Sequence, residues 1–351
     1  MANPYTLVFG QPPVEMIERR AQADRIISEF VQERPANYLN LITGIRGSGK
    51  TVFLTDIAQR IGERKEWTVV NMNPQRDLLE SLIMKLDSNI KLSRIFQEAE
   101  INLQAFGQSL SISGAGAPPI RDPEEALIRM IRSMQRKGRR LLITLDEATN
   151  SKDIRVFASA YQLFLREGLQ VFLLMTGLQA EIDRLRNAKG MTFLERAPRT
   201  VLQPLNFSAM TQKYAETLRI GEDEASRLAK ATKGYSFAFQ TIGYYAWENP
   251  YDPEKAFQDA KEYLKEFAYH KIWTELSPKD REVVVAIQQS GSGEVLQIRQ
   301  LLQWTSNQFN PYRDRLIKAG VIHSPQNGYV SFSLPWFGEF AEEMKEAASL
   351  D

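Results

Sequence analysis

Eight consecutive residues, Gly44, Ile45, Arg46, Gly47, Ser48, Gly49, Lys50 and Thr51, satisfy the pattern G-x-x-x-x-G-K-[ST]. Glycines at these positions let successive backbone N–H groups converge on one anion, beside the positive end of the following helix. In that arrangement Lys50 reaches the β- and γ-phosphates of a nucleotide, and the Thr51 hydroxyl ligates Mg2+. Val52 completes the stretch expected to line the nucleotide.

A second pair belongs with the first. Asp146 and Glu147 follow the apolar run 141–145. An apolar strand ending in Asp is the Walker B layout, with Asp146 holding Mg2+, usually through water. An acid beside that ligand, Glu147, can polarise a water for in-line attack on the γ-phosphate. The motifs stand about 95 residues apart, which matches one core carrying an insertion. Thr176 ends another apolar run, where its hydroxyl could touch the γ-phosphate or the attacking water. The competing reading is an ordinary strand-ending threonine. Together these residues call for a nucleoside triphosphate, Mg2+ and hydrolysis at the γ-phosphate.

The elements that must position them follow from periodicity. Residues 38–43, 67–71, 140–145 and 170–175 read as strands, and 52–61 as an amphipathic helix ended by Gly62. Asn73 and Pro74 suggest a helix start, with the helix running to about Leu86. A helix carrying Ile154, Phe157, Ala158 and Tyr161 separates the third and fourth strands. Strands alternating with helices predict a parallel α/β sheet covered on both faces. The stretch 101–122 interrupts the pattern and reads as an inserted β-hairpin around Phe106, Gly107 and Gln108, with a linker after it. The boundaries expected are an ATPase core over 1–205, a helical lid over 206–270 and a third region over 271–351.

Composition narrows the alternatives. The 351 residues are 43% hydrophobic and 25% charged, with a formal net charge of +1. Such a balance gives no global attraction to nucleic acid or membrane. The absence of cysteine and the presence of two histidines disfavour disulfides, zinc sites and Ser-His-Asp triads. No apolar run reaches the length of a membrane span, and the opening residues lack the layout of a signal peptide, so a cytoplasmic protein is expected.

The third region outlines a winged helix-turn-helix. Ser277, Pro278 and Asp280 open a helix, 294–297 reads as a short strand, and 298–303 as a short helix. Ser306 or Asn310 is expected to cap the next helix, with Pro311 fitting best at its first position after Asn310. Asn327-Gly328 then predicts a hairpin. Arg313, Arg315 and Lys318 are the cations that could meet double-stranded DNA. Residues 275–351 nevertheless hold seven Lys or Arg against ten Asp or Glu, a net of −3. DNA-binding modules usually carry a positive excess. Direct DNA binding and contact with protein therefore both stay open.

The order of glycine loop, Asp-Glu pair and polar strand tip resembles the AAA+/STAND branch of P-loop ATPases. End to end, the chain resembles bacterial and archaeal ATPases related to origin-recognition replication initiators and to STAND signalling ATPases. Only the two nucleotide motifs are highly specific. The resemblance implies a P-loop NTPase core of the ASCE/AAA+ type, a helical lid and a winged helix, working as a switch that binds ATP or ADP. Its family places an N-terminal segment against the adenine. Arg19 falls at the matching arginine, while Glu18 and Arg20 depart from the pattern. The stretch 234–240 lacks the arginine that AAA+ proteins often carry at a lid helix, which points to slow hydrolysis. Arg196 and Arg199 are the candidates for an arginine finger, which acts in trans and would require a homo-oligomer. The implied output is DNA binding, or protein contact in a signalling or defence ATPase.

Overall fold

A computed structural model describes residues 2–8, 13–106 and 119–348. The chain forms two compact units, one of Arg20–Thr43 and Lys50–Val201, the other of Met1–Arg19, Gly44–Gly49 and Leu202–Asp351.

The first unit is built on a five-stranded parallel sheet of β1 (Leu39–Thr43), β2 (Trp67–Met72), β3 (Arg140–Leu145), β4 (Val171–Gly177) and β5 (Arg199–Val201), in the order β2-β3-β4-β1-β5. Helices cover both faces. Arg20–Val31 and Lys50–Gly62 lie on one, where Phe172 packs 5.1 Å from the Phe30 ring. Leu78–Asp87, Pro123–Arg136 and Lys152–Arg166 lie on the other, over Leu141, Ile143, Leu145, Leu173 and Met175. Burial on both sides explains why β3 and β4 read as continuous apolar runs.

One expectation is corrected here, and a second lies largely outside the described residues. The helix expected from Asn73 starts at Leu78, capped by Asp77, whose side chain accepts from the Glu80 N–H. Asn73 instead closes a local turn by accepting from the Gln75 N–H at 2.9 Å. Of the expected hairpin, 107–118 lies outside the described residues, and Gln104–Phe106 form a 3-10 turn.

In the second unit, helices Phe207–Leu218, Glu222–Ala231, Ser236–Glu248 and Pro253–Leu264 are followed by a π turn over Lys265–Tyr269. Helices His270–Glu275, Pro278–Ser290, Val295–Leu302 and Ser306–Lys318 come next. Strands β6 (Ile322–His323) and β7 (Ser331–Phe332) pair antiparallel before a last helix, Phe337–Ala348. One hydrophobic cluster runs from Tyr214 and Phe239 through Tyr269 to Phe309, Phe337 and Phe340, so 206–270 and 271–351 share a core.

Two local expectations fail in this unit. The strand expected over 294–297 is a single bridge from Glu294 to Tyr329, after which Val295 starts a helix. Pro311 lies inside helix Ser306–Lys318 rather than at its start. Thr305 and Gln308 form a capping box that sets the start five residues before Pro311. That box, with buried Phe309 and Leu316, offsets the backbone hydrogen bond that proline cannot donate.

Candidate functional site

In the first unit, parallel pairing brings the carboxyl ends of β1, β4 and β3 side by side, with Thr43 opposite Gly177 and Leu145 opposite Met175. Ligands of open α/β sheets bind at this edge. Helix Lys50–Gly62 begins there with Lys50 and Thr51, directly after the glycine loop in sequence.

The Thr51 Oγ1 donates to Asp146 Oδ2 at 2.7 Å. The other carboxylate oxygen, Oδ1, accepts from the Thr176 hydroxyl and, at 3.1 Å, from the Glu147 N–H. Thr176 is fully buried, and its Oγ1 also lies 3.1 Å from the Glu147 nitrogen. Glu147 therefore stands in a tight turn, with φ at +55°. A non-glycine residue in the left-handed region costs energy and persists only where its surroundings hold it. The Ala148 N–H, donating to the Thr176 carbonyl at 2.7 Å, supplies a further tether. The next residue on β4 must be small, because a Cβ on Gly177 would stand 2.8 Å from the Ala148 carbonyl. The Glu147 side chain is exposed, whereas Asp146 is half-buried.

Arg199 donates to Asp183 at 2.9 Å. Arg196 is exposed, with no ion pair among the described residues.

The second unit holds loop residues Gly44–Gly49 by their carbonyls. The Tyr235 hydroxyl donates to the Arg46 carbonyl at 2.9 Å, the Phe237 N–H to that of Gly47 at 3.1 Å, and the Ser236 hydroxyl to that of Ser48 at 3.0 Å. These donors gather at the start of helix Ser236–Glu248. Burial pushes the Tyr235 phenol up, keeping it a neutral donor. Gly47 and Gly49 have φ of +75° and +85°, and a Cβ on Gly47 would stand 2.2 Å from the Tyr235 hydroxyl. Their own N–H groups make no hydrogen bond among the described residues. The loop also touches the far end of the unit. Arg46 pairs with Glu275 at 3.0 Å, and Ile45 lies against Gly320, whose added Cβ would come 3.2 Å from it.

Arg19 belongs to this unit and lies beside Gly49, with its guanidinium bonded to Gln203 and Ser236. The residues of the segment before it, 9–12, lie outside the described ones. Sequence reasoning missed Tyr235, Ser236 and Gln203. Tyr235 and Ser236 stand 189 and 188 positions from their loop partners, so no local spacing announces them.

On helix Ser306–Lys318, Arg315 donates to Asp280 Oδ1 at 2.9 and 2.7 Å and to the Ser277 hydroxyl at 3.0 Å. Arg313 pairs with Asp314 at 2.8 Å. Lys318 makes no ion pair among the described residues.

Against solved structures, the chain resembles a Walker-type ATPase of Pyrococcus abyssi, with a TM-score of 0.65 and 15% identity, covering 93% of this chain and 96% of that one. It also matches the Aeropyrum pernix ORC2 protein in its ADPNP–ADP complexes, with a TM-score of 0.60 and 15% identity over 98% of both chains. The chain has their fold. This is the parallel sheet covered by helices on both faces that the motifs call for, with β4 between the strand that precedes the loop and the strand that precedes Asp146. A family model described as Domain of unknown function (DUF8462) matches residues 266–341. No curated protein matches the sequence. No described helix is long and apolar enough to cross a membrane.

Proposed function

We propose that this chain is a switch that binds ATP, hydrolyses it slowly, and passes its nucleotide state to residues 271–351. The observation that carries this reading is the contact of Thr51 with Asp146, which joins the two motifs at 2.7 Å. One hydroxyl and one carboxylate oxygen suit Mg2+, a hard cation that keeps several waters and takes phosphate oxygens as further ligands. Among the described residues there is no group of three or more His, Cys, Asp or Glu that could hold a metal, so a dedicated all-protein cage does not compete with this reading. Thr51 and Asp146 would hold the ion, which neutralises charge on the phosphates when bound.

The chain's own groups have separable roles in this reading. Residues 44–51 cradle the phosphates, and Lys50 adds a positive charge to them. Glu147 orients and polarises the attacking water. Thr176 holds the Asp146–Glu147 turn. Arg196, with no ion pair among the described residues, is the better candidate for a finger in a homo-oligomer; Arg199 is engaged by Asp183. The contacts of Ile45 and Arg46 with Gly320 and Glu275 supply a route from the loop to the C-terminal region.

Double-stranded DNA is the first reading of the output, through Arg313 and Lys318. Contact with a protein partner is the second. The two hydrogen bonds from Arg315 to one oxygen of buried Asp280 favour the second, because they take one of three candidate cations from service, whereas Arg313 pairs only with exposed Asp314.

Titration of the full chain with ATP and Mg2+ tests the nucleotide site. Wild type is expected to bind and Lys50→Ala to lose binding. Equal affinity in both overturns the reading.

A further inference from the structure

Arg19 has surroundings that suit a different ligand atom from the adenine its sequence position suggests. Its Nη2 donates to the Gln203 carbonyl at 3.0 Å and to Ser236 Oγ at 3.1 Å, and its Nε reaches the same carbonyl at 3.3 Å. Ser236 in turn donates to the Ser48 carbonyl at 3.0 Å, so the guanidinium is fixed to the loop through one hydroxyl. The remaining nitrogen, Nη1, makes no hydrogen bond among the described residues. It is also the atom that faces the loop, 3.4 Å from where a Cβ on Gly49 would stand.

Arg19 makes no ion pair among the described residues, and burial pushes its guanidinium down to about 10. A half-buried cation without an anion is costly unless a ligand supplies one. Helix Ser236–Glu248, which begins against the loop, brings no Lys or Arg of its own.

We infer that Arg19 binds the phosphate chain of a nucleoside di- or triphosphate through Nη1, an inference that rests on reading residues 44–51 as the nucleotide site. A fork with two donors still unused matches phosphate oxygens, which accept in-plane N–H groups. Gln203 and Ser236 then act as positioning residues.

The test compares wild type, Arg19→Gln and Arg19→Lys in the full chain at low salt with Mg2+. A fluorescent ATP analogue is titrated, then displaced with ATP or with inorganic tripolyphosphate, which has no base or ribose. Arg19→Gln is expected to weaken ATP and tripolyphosphate by the same factor, about 10–100-fold. Arg19→Lys keeps the charge and loses the fork, so both ligands weaken equally but by less. If Arg19→Gln loses its cooperative thermal transition, Arg19→Lys carries the comparison alone. Weakening of ATP with tripolyphosphate unchanged overturns the inference in favour of a base contact. Unchanged affinity for both ligands overturns it too, as does failure of tripolyphosphate to compete in wild type. Failure of wild type to bind ATP at all, or full binding by Lys50→Ala, overturns the nucleotide reading itself and this inference with it.

Discussion

Thr51 donates its hydroxyl to Asp146 at 2.7 Å across 95 residues of sequence. Sheet order makes this possible, since β3 and β1 both end at the edge where helix Lys50–Gly62 starts. Removing the carboxylate charge should therefore cost metal-dependent affinity more than nucleotide affinity. Asp146→Asn is expected to bind ATP equally in Mg2+ and in EDTA, whereas wild type binds more tightly in Mg2+. Isothermal titration in the two buffers checks this.

Gly47 faces Tyr235 so closely that an added Cβ would stand 2.2 Å from its hydroxyl, at a φ of +75°. Gly138 has a φ of +69° with open space around it, so it isolates the backbone cost. Gly138→Ala should destabilise by about 1 kcal/mol. Gly47→Ala adds overpacking and should cost about 2–4 kcal/mol. Thermal melts of the two variants without nucleotide read the difference.

Asp280 is 3% exposed and serves both the capping box of helix Pro278–Ser290 and Arg315. Arg315 is about half exposed, so solvent screens much of the pair. Asp280→Ala should lose about 1–3 kcal/mol, mostly from the cap and its hydrogen bonds. A lower urea midpoint at unchanged slope is the expected signature.

The hold of Asp280 on Arg315 also bounds any DNA contact. Arg313 pairs only with exposed Asp314 and can exchange it for a phosphate, so with Arg313 and Lys318 meeting phosphates the plot of log affinity against log salt should have a slope of about −2 rather than −3. Alanine at Arg313 and Lys318 should then abolish binding, and Arg315→Ala should leave it little changed. Absence of any binding at low salt, with and without ATP, leaves protein contact as the output.

The parts of the fold that are legible in the sequence are those whose signals are local. Strand β3 lies over 140–145, where its apolar run predicts it, because both its faces are buried and every residue from Leu141 to Leu145 is apolar or threonine. The loop and the Asp146–Glu147 pair are readable because their chemistry needs those residue types in that order. Strand β5 escapes a sequence reading, since Arg199–Val201 is three residues long with no buried residue. Helix Arg20–Val31 is absent from the expectations although Ala23, Ile26, Ile27 and Phe30 carry helical spacing. Pro311 misleads because its preference for a first turn competes with the Thr305–Gln308 cap, which sets the helix start. The contacts of Arg19, Tyr235 and Ser236 around the loop depend on tertiary packing, and nothing local encodes them.

Glu147 is the side chain assigned to the chemical step itself. The substitution Glu147→Gln keeps the side chain's size and the same backbone demand at a φ of +55°, so it removes the charge and little else. Phosphate release under single-turnover conditions, with ATP affinity measured on the same samples, separates chemistry from binding. Unchanged affinity and a hydrolysis rate at least about 100-fold lower are expected in Glu147→Gln. Equal hydrolysis by the variant and wild type would contradict that assignment.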